Sequence, residues 1–198
     1  MMLSTEKLFS LLSSPDFRAM RGLATETPLF VLAYEPQEED HARQTANALH
    51  NRLNASGVAT ETIDLFGFVL EWLDTAGRLS PVLEREAALS KTKLLDLFRS
   101  LTDPSGGPIL KALLARLTEP GPEITLITGV GRVFPFLRAH TVLEAIQPAM
   151  SRHPIILFFP GRYVHTDNGS QLQLFGNDVT PPLSKNHYRA INLADYHL

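Results

Sequence analysis

The chain of 198 residues contains no cysteine. Disulfide bridges, thiolate metal ligands and a cysteine nucleophile therefore play no part in its fold or chemistry. No apolar run approaches the roughly 18 residues that a membrane helix requires. The N-terminal stretch "MMLSTEKLFSLLSSPDF" lacks the basic region and long apolar core of a secretory signal. We therefore expect a cytoplasmic protein without a membrane segment.

Positive charge is not in excess either, because 18 Lys and Arg residues stand against 21 Asp and Glu residues, for a net charge of −3. Binding to a nucleic-acid backbone depends on clustered cations that displace counterions. The charge balance argues against direct nucleic-acid binding. Hydrophobic residues make up 44% of the chain, which is sufficient for one sizeable core at this length.

Several patterns that carry catalysis are also missing. A Walker A loop needs a Gly-Lys pair, which the chain lacks, and the acids of "AYEPQEED" follow the first apolar run, where that loop would lie. The seven histidines form no H-E-x-x-H pattern and no i, i+4 pair, which argues against a zinc site. There is no G-x-S-x-G nucleophile elbow. The sequence predicts neither catalytic residues nor a metal or cofactor.

The segments that are present predict a parallel sheet. "TPLFVLAYEP" (Thr27–Pro36) is a continuous apolar run, typical of a strand buried on both faces. A helix over "EEDHARQTANALHNRLNASG" follows it, then a second strand over "VATETIDLF". "EITLITGVG" and "HPIILFFPG" predict a third and a fourth strand, and "SQLQLFGN" and "YRAINL" predict short ones. This order indicates an α/β fold with a mostly parallel sheet and helices on both faces.

Helical patterns fill the space between the second and third strands. Pro81, after a capping Ser80, predicts the start of one long helix that reaches Leu101, and "GGP" predicts the start of the next. An amphipathic helix opens the chain over Thr5–Leu12, and another is predicted from Pro135 to about Ala149. The sequence therefore predicts a single α/β domain over residues 1–198, with a helical insertion at about 67–118.

The stretch "LITGVGRVFPFLRAH" leads from the third strand through Gly129 and Gly131 into a helix, the context of many phosphate sites. Phe134 takes the position of the third glycine of a dinucleotide fingerprint. Two interpretations stay open. The glycines permit a tight turn beneath packed Val133 and Phe134, or the loop contacts an anion or a partner and Arg132 and Arg138 supply the charge.

Further arginines follow the same edge of the predicted sheet. Arg162 lies after the fourth strand in "FFPGRY", and Arg189 lies within the last short strand. Because ligands of open parallel sheets bind beyond the carboxyl ends of the strands, Arg132, Arg162 and Arg189 are placed to hold a phosphate or carboxylate. The alternative is that they are solvated or form structural ion pairs. Asp64 ends the second strand, but the sequence indicates no partner for it.

Four blocks, "LITGVGRVFPFLRAHTVLEAIQ", "HPIILFFPGRY", "LQLFG" and "YRAINL", in this order resemble the BrxB family of BREX bacteriophage-defence systems. With "LFSLLSSPDFRAMRGLATETPLFVLAYEP" at the N-terminus, the resemblance covers almost the whole chain. It implies a component of a multi-protein system that resists bacteriophage and supports host DNA methylation. It also implies a domain that resembles a P-loop NTPase without the Walker A loop, no established catalytic activity, and a PglZ-type protein as partner.

The leading hypothesis is therefore a non-catalytic adaptor of a BREX complex. Its candidate partner surface comprises Phe68 and Trp72 in the helical insertion, Tyr163 after the fourth strand, and Tyr188 near the C-terminus. A core position is the alternative for Trp72. The competing hypothesis is a nucleotide- or phosphate-binding enzyme or sensor that uses the strand-end arginines.

Overall fold

A computed structural model describes residues 3–21, 29–86, 88–103, 106–146, 153–166, 169–176 and 190–196. The strands are β1 (Leu29–Tyr34), β2 (Thr60–Asp64), β3 (Ile124–Thr128), β4 (Ile155–Thr166), β5 (Gly169–Leu174) and β6 (Ile191–Asn192). The helices are α1 (Thr5–Ser13), α2 (Pro15–Arg18), α3 (Glu39–Ala55), α4 (Leu65–Thr75), α5 (Leu79–Glu86), α6 (Lys91–Leu101), α7 (Pro108–Thr118) and α8 (Ala139–Ile146). Short 3-10 segments cover Pro36–Glu38 and Leu193–Asp195.

The strands form one sheet in the order β2–β3–β4–β1–β6, and these neighbours are all parallel. β1 lies inside the sheet, in register with β4 from Leu29 opposite Ile155 to Tyr34 opposite Pro160. The second half of β4 leaves this sheet and pairs antiparallel with β5. The predicted α/β class with a mostly parallel sheet is confirmed.

Helices cover both faces of the sheet, as predicted. On one face, α1, α2 and α3 bury side chains such as Leu8, Phe17 and Leu49 against β1, β3 and β4. On the other face, α4, α6, α7 and α8 bury side chains such as Val69 and Leu113. Because every inner strand has apolar layers above and below it, its sequence is continuously hydrophobic.

Two predicted helix boundaries were wrong. The segment from Ser80 to Leu101 forms two helices, because the Ser90 hydroxyl accepts a hydrogen bond from the Lys93 amide at 3.3 Å and caps a new helix, α6. The helix predicted from Pro135 begins only at Ala139. The Phe136 carbonyl instead accepts a 2.7 Å hydrogen bond from Thr102 Oγ1 at the end of α6.

The predicted helix after "GGP" is confirmed as α7, with Pro108 in its first turn. Between β2 and β3 the chain thus runs through α4, α5, α6 and α7, where a parallel crossover requires one helix. Within the described residues, no helix is both long and apolar enough to span a bilayer.

Candidate functional site at the carboxyl edge of the sheet

Two ion pairs close the carboxyl edge of the sheet. At the end of β2, Asp64 Oδ2 accepts a 2.9 Å hydrogen bond from Arg132 Nη1, in the loop after β3. Glu35, directly after β1, lies 3.7 Å from Arg162 Nε of β4. Because β2 neighbours β3 and β1 neighbours β4, each of these two arginines meets a carboxylate from the adjacent strand. Both arginines therefore form ion pairs within the chain, and the side chains of the Glu35–Arg162 pair are exposed.

Position 129 requires glycine because of its backbone conformation and because the Asp64 carboxylate leaves no room for a side chain. Its φ of +77° lies in the left-handed region, and any side chain there would collide with Asp64 Oδ1. The carboxylate thus lies against the loop backbone, where a phosphate would have to approach. The Arg132 guanidinium is held on its other side by the Phe66 ring, 4.7 Å from the ring centroid.

The β4–β5 hairpin approaches Gly131 closely, so a side chain at this position would be tightly packed. A Cβ at this position would lie 3.1 Å from Pro160 and 3.2 Å from Phe175. Phe175 also packs edge to face with Phe134, at a centroid separation of 5.6 Å. Val133 is fully buried, as the turn interpretation predicts, whereas Phe134 packs against Phe175 but remains 40% exposed.

Two oxygen atoms beside this loop are buried without a hydrogen-bond partner among the described residues. They are Asp64 Oδ1 and Thr128 Oγ1, on residues that lie opposite each other in β2 and β3. The Asp64 carboxylate oxygen can only accept, so it favours a hydrogen-bond donor or a cation and disfavours a phosphate, whereas the Thr128 hydroxyl can donate as well as accept. The described residues include no group of three or more metal-ligating side chains.

The end of β1, where a Walker A loop would lie, carries acids instead. The Tyr34 hydroxyl donates a 2.6 Å hydrogen bond to Glu39 Oε2, and Glu38 Oε2 accepts one from the Glu35 amide. Burial, together with the bond to Glu39, raises the pKa of Tyr34 well above its ordinary value. The N-terminus of α3 therefore already has carboxylates that suit its dipole.

The other predicted site residues form no described ion pair at this edge, or lie outside the described residues. Arg138 is exposed just before α8, and Arg189 and Tyr188 lie outside the described residues. Tyr163 packs partly against the core, and its hydroxyl donates a 2.9 Å hydrogen bond to the Ala190 carbonyl. It thereby contacts the chain's own C-terminal segment.

Phe68 and Trp72 lie on α4 and are half-buried against the core. Trp72 therefore contributes to the core and also leaves part of its ring exposed to a partner. Both residues line a cavity of about 560 Å³ between α4, α7 and β2.

Sequence reasoning missed Glu35 and Thr128 and left Asp64 without a partner. All three are polar residues at or next to strand ends, but only the strand order shows which arginines face the acids.

A second cavity, which we call the helical groove, measures about 490 Å³ and lies between α4, α5, α6 and the Pro135–Phe136 turn. Its lining is apolar apart from Glu86 and Lys91 and comprises Phe66, Val69, Leu70, Leu73, Leu79, Val82, Leu83, Leu94, Leu95, Phe98, Pro135 and Phe136. Leu83 is 56% exposed at its rim. This groove belongs to the segment that was predicted as a helical insertion.

These features define a small α/β domain whose parallel sheet ends in carboxylate–arginine pairs made by the chain itself. The family model described as "BREX protein BrxB" matches residues 61–193, and the chain belongs to this family.

Two curated relatives support this assignment. The chain is 29% identical over 192 residues to a "BREX protein BrxB" of Bacillus cereus (strain H3081.97), which covers 96% of this chain and 95% of that protein. It is 23% identical over 185 residues to one of Escherichia coli O9:H4 (strain HS), with 93% and 86% covered. No solved structure matches the chain significantly.

Proposed function

We propose that this protein is a non-catalytic adaptor of a BREX phage-defence complex, which binds the PglZ-type partner through the helical groove. Membership of the BrxB family makes it a BREX component. Binding to the PglZ-type protein, and support of phage restriction and host DNA methylation through that binding, are the proposal. Other BREX components are further candidate partners.

The observation that carries the proposal is the apolar character of the helical groove. In the described part of α5 no residue is buried, and in α6 only Leu101 is. Leucines of both helices nevertheless face a common cavity. Contiguous exposed apolar surface, depleted of charge at its centre, is characteristic of protein–protein interfaces.

The proposal includes a fold that resembles a P-loop NTPase without its nucleotide loop. The mostly parallel sheet, with β1 inside it between β4 and β6, supports this resemblance. The acids that follow β1 occupy the position of the missing loop.

The alternative function, a phosphate or nucleotide sensor, has less support because Asp64 and Glu35 already neutralise Arg132 and Arg162. We expect calorimetry with millimolar ATP, GTP or cyclic nucleotides to detect no binding. Saturable heat that disappears in Arg132→Gln would favour the sensor and contradict the adaptor.

The experiment that tests the adaptor is co-expression of the full chain with the PglZ-type protein of its own system, followed by measurement of the mass of the co-eluting species. Leu83→Glu places a carboxylate at the rim of the groove. Ser80→Glu adds the same charge to the same helix at an exposed position that does not line the groove.

We expect a stoichiometric complex for the wild type and for Ser80→Glu, and binding weakened by about tenfold or more for Leu83→Glu. Separate elution of the two wild-type proteins would contradict the named partner. Equal binding by both variants would contradict the groove as the interface.

A further inference from the structure

β2 lies at an edge of the sheet that the described strands form. Among the described strands it pairs only with β3. Beside its outer side lie two cavities, of about 560 Å³ towards α4 and about 510 Å³ towards the end of α3. Glu61, Thr62, Arg116 and Glu119 line both. The two cavities thus meet at these shared residues along the strand, and we call them together the edge trough.

The backbone of β2 shows which residues face the edge trough. The Asn54 side chain bonds to both the amide and the carbonyl of Thr60, at 3.1 and 3.0 Å, as a neighbouring strand would. The carbonyl of Ala59 instead accepts hydrogen bonds from Glu123 and Ile124, on the β3 side. Because residues of a parallel strand direct their amide and carbonyl groups alternately to the two sides, Thr62 directs both groups into the edge trough.

Thr62 is also the point at which a polar side chain lacks a partner. Its hydroxyl oxygen is buried and forms no hydrogen bond with any described residue. Asn54 occupies the edge at one end, at Thr60, and β2 passes into α4 after Asp64 at the other. Thr62 thus lies where an external backbone would complete the edge.

The charges beside Thr62 indicate which side chains a segment bound in the trough would carry. Among the described residues that line the trough, Glu61, Glu71 and Glu119 stand against one arginine, Arg116. Arg116 Nε donates to Glu61 Oε1 at 2.6 Å, and Arg116 Nη1 lies 3.3 Å from Glu119 Oε2. Phe68 and Trp72 form an apolar wall beside these acids. An excess of carboxylates next to an apolar wall complements a segment with alternating basic and apolar side chains.

We propose that the edge trough binds an extended segment of another protein, which adds as a strand to β2 at Thr62. An apolar side chain of this segment packs on Phe68 and Trp72, and a lysine or arginine meets Glu71 and Glu119. Strand addition to a free edge combines main-chain hydrogen bonds with alternate side-chain pockets. This surface is separate from the helical groove and does not depend on the adaptor proposal.

Binding to the edge trough can be measured by intrinsic fluorescence, because Trp72 lines the trough and is the single tryptophan of the chain. The probe is a capped hexapeptide of alternating valine and lysine, titrated against the full chain. A valine–glutamate peptide of the same length is the charge control. We expect saturable binding of the lysine peptide at millimolar or lower concentration and none of the glutamate peptide.

Two variants at one position test the backbone contact. Thr62→Pro removes the amide that faces the trough, and proline is tolerated in an edge strand where the N–H faces outward. Thr62→Val keeps the amide. We expect Thr62→Pro to weaken binding of the lysine peptide by about tenfold more than Thr62→Val, which retains the amide. Glu71→Gln should also weaken binding of this peptide, through the loss of charge.

Amide hydrogen exchange in the wild type gives a readout that no substitution disturbs. We expect the Thr62 amide to exchange faster than the Ile63 amide in the free protein, and the lysine peptide to slow exchange of the Thr62 amide. The proposal is overturned by absence of saturable binding, by equal binding of Thr62→Pro and Thr62→Val, or by equal binding of both peptides. A dimer of the free chain that Thr62→Pro dissociates would assign the trough to a second copy and would also overturn it.

Discussion

Gly129 and Gly57 share a backbone conformation but not their surroundings. Their φ angles are +77° and +86°, both in the left-handed region. A side chain at Gly57 would meet no atom within 4 Å, whereas one at Gly129 would collide with the Asp64 carboxylate. The two glycines therefore separate the energy of the backbone conformation from that of the contact with Asp64.

We expect Gly57→Ala to lower the free energy of unfolding by about 1 kcal/mol, the cost of a left-handed alanine. Gly129→Ala should lower it by about 3 kcal/mol, because overpacking against Asp64 adds to the same cost. Chemical denaturation measures both. In the double variant Asp64→Ala/Gly129→Ala the loss should be smaller than the sum of the single losses, and strict additivity would contradict the collision.

Tyr34 is buried at the end of β1 and donates its hydroxyl hydrogen to Glu39. Tyr34→Phe removes a hydrogen bond to a charged group, and we expect it to lower the free energy of unfolding at pH 7 by about 2 kcal/mol. Because the pKa of Tyr34 is raised in the folded protein, this phenol ionises first in the unfolded chain, at about pH 10. Its contribution is present below that pH and is lost as the pH rises further.

Denaturation of wild type and Tyr34→Phe at pH 7 and above pH 10 checks this expectation. The difference in stability between them should shrink with rising pH. A constant difference across this range would contradict the buried, neutral phenol.

The sequence identified the strand-end residues of this site but not their pairing. Gly129, Arg132 and Arg162 were recognisable because each follows an apolar run of strand length. Asp64 and Glu35 also follow such runs, yet which acid meets which arginine depends on strand order. Strand order follows from long-range packing, which a local pattern of residues does not encode.

α5 and α7 lie in the same crossover but differ in burial. α7 buries Ile109, Leu110, Leu113 and Leu117, while α5 buries none of its residues. The sequence predicted α7 correctly because Pro108 marks its start and its apolar residues repeat at helical spacing. The sequence predicted α5 and α6 as one helix because the apolar spacing continues across Ser90. The break between them is recognised only from the hydrogen bond that caps α6.

Because helical stability comes mainly from tertiary packing, we expect α5 to open more readily than α7. Its backbone amides should exchange with solvent at least about tenfold faster than those of α7. Hydrogen-exchange mass spectrometry on the free protein measures both helices together. Equal protection would show that α5 is held by contacts beyond the apolar ones described.

At the scale of the whole molecule, three aromatic rings join both ends of the chain to the sheet. Phe30 of β1 lies 4.7 Å from Phe17 of α2 and 5.3 Å from Tyr196, measured between ring centroids. The Tyr196 hydroxyl also donates to the Arg21 carbonyl at 3.2 Å. The first and last described segments thus share one buried cluster.

We expect Phe30→Ala to lower the free energy of unfolding by about 3–5 kcal/mol, because it leaves a cavity at the centre of this cluster. Phe134→Ala removes a ring that is 40% exposed, and we expect it to lower the free energy of unfolding by about 1 kcal/mol or less. Thermal or chemical denaturation of both variants checks the contrast. Similar losses would contradict the central position of Phe30.

The position of β1 between β4 and β6 also has a consequence for synthesis of the protein on the ribosome. β1 leaves the ribosome well before its two neighbours, which start at Ile155 and Ile191, are translated. At bacterial elongation rates this delay is on the order of ten seconds. Throughout it, Leu29–Tyr34 is an apolar strand without a partner on either side, and such a segment is prone to aggregation. The yield of folded protein therefore depends on how well the cell shields this short segment of each nascent chain.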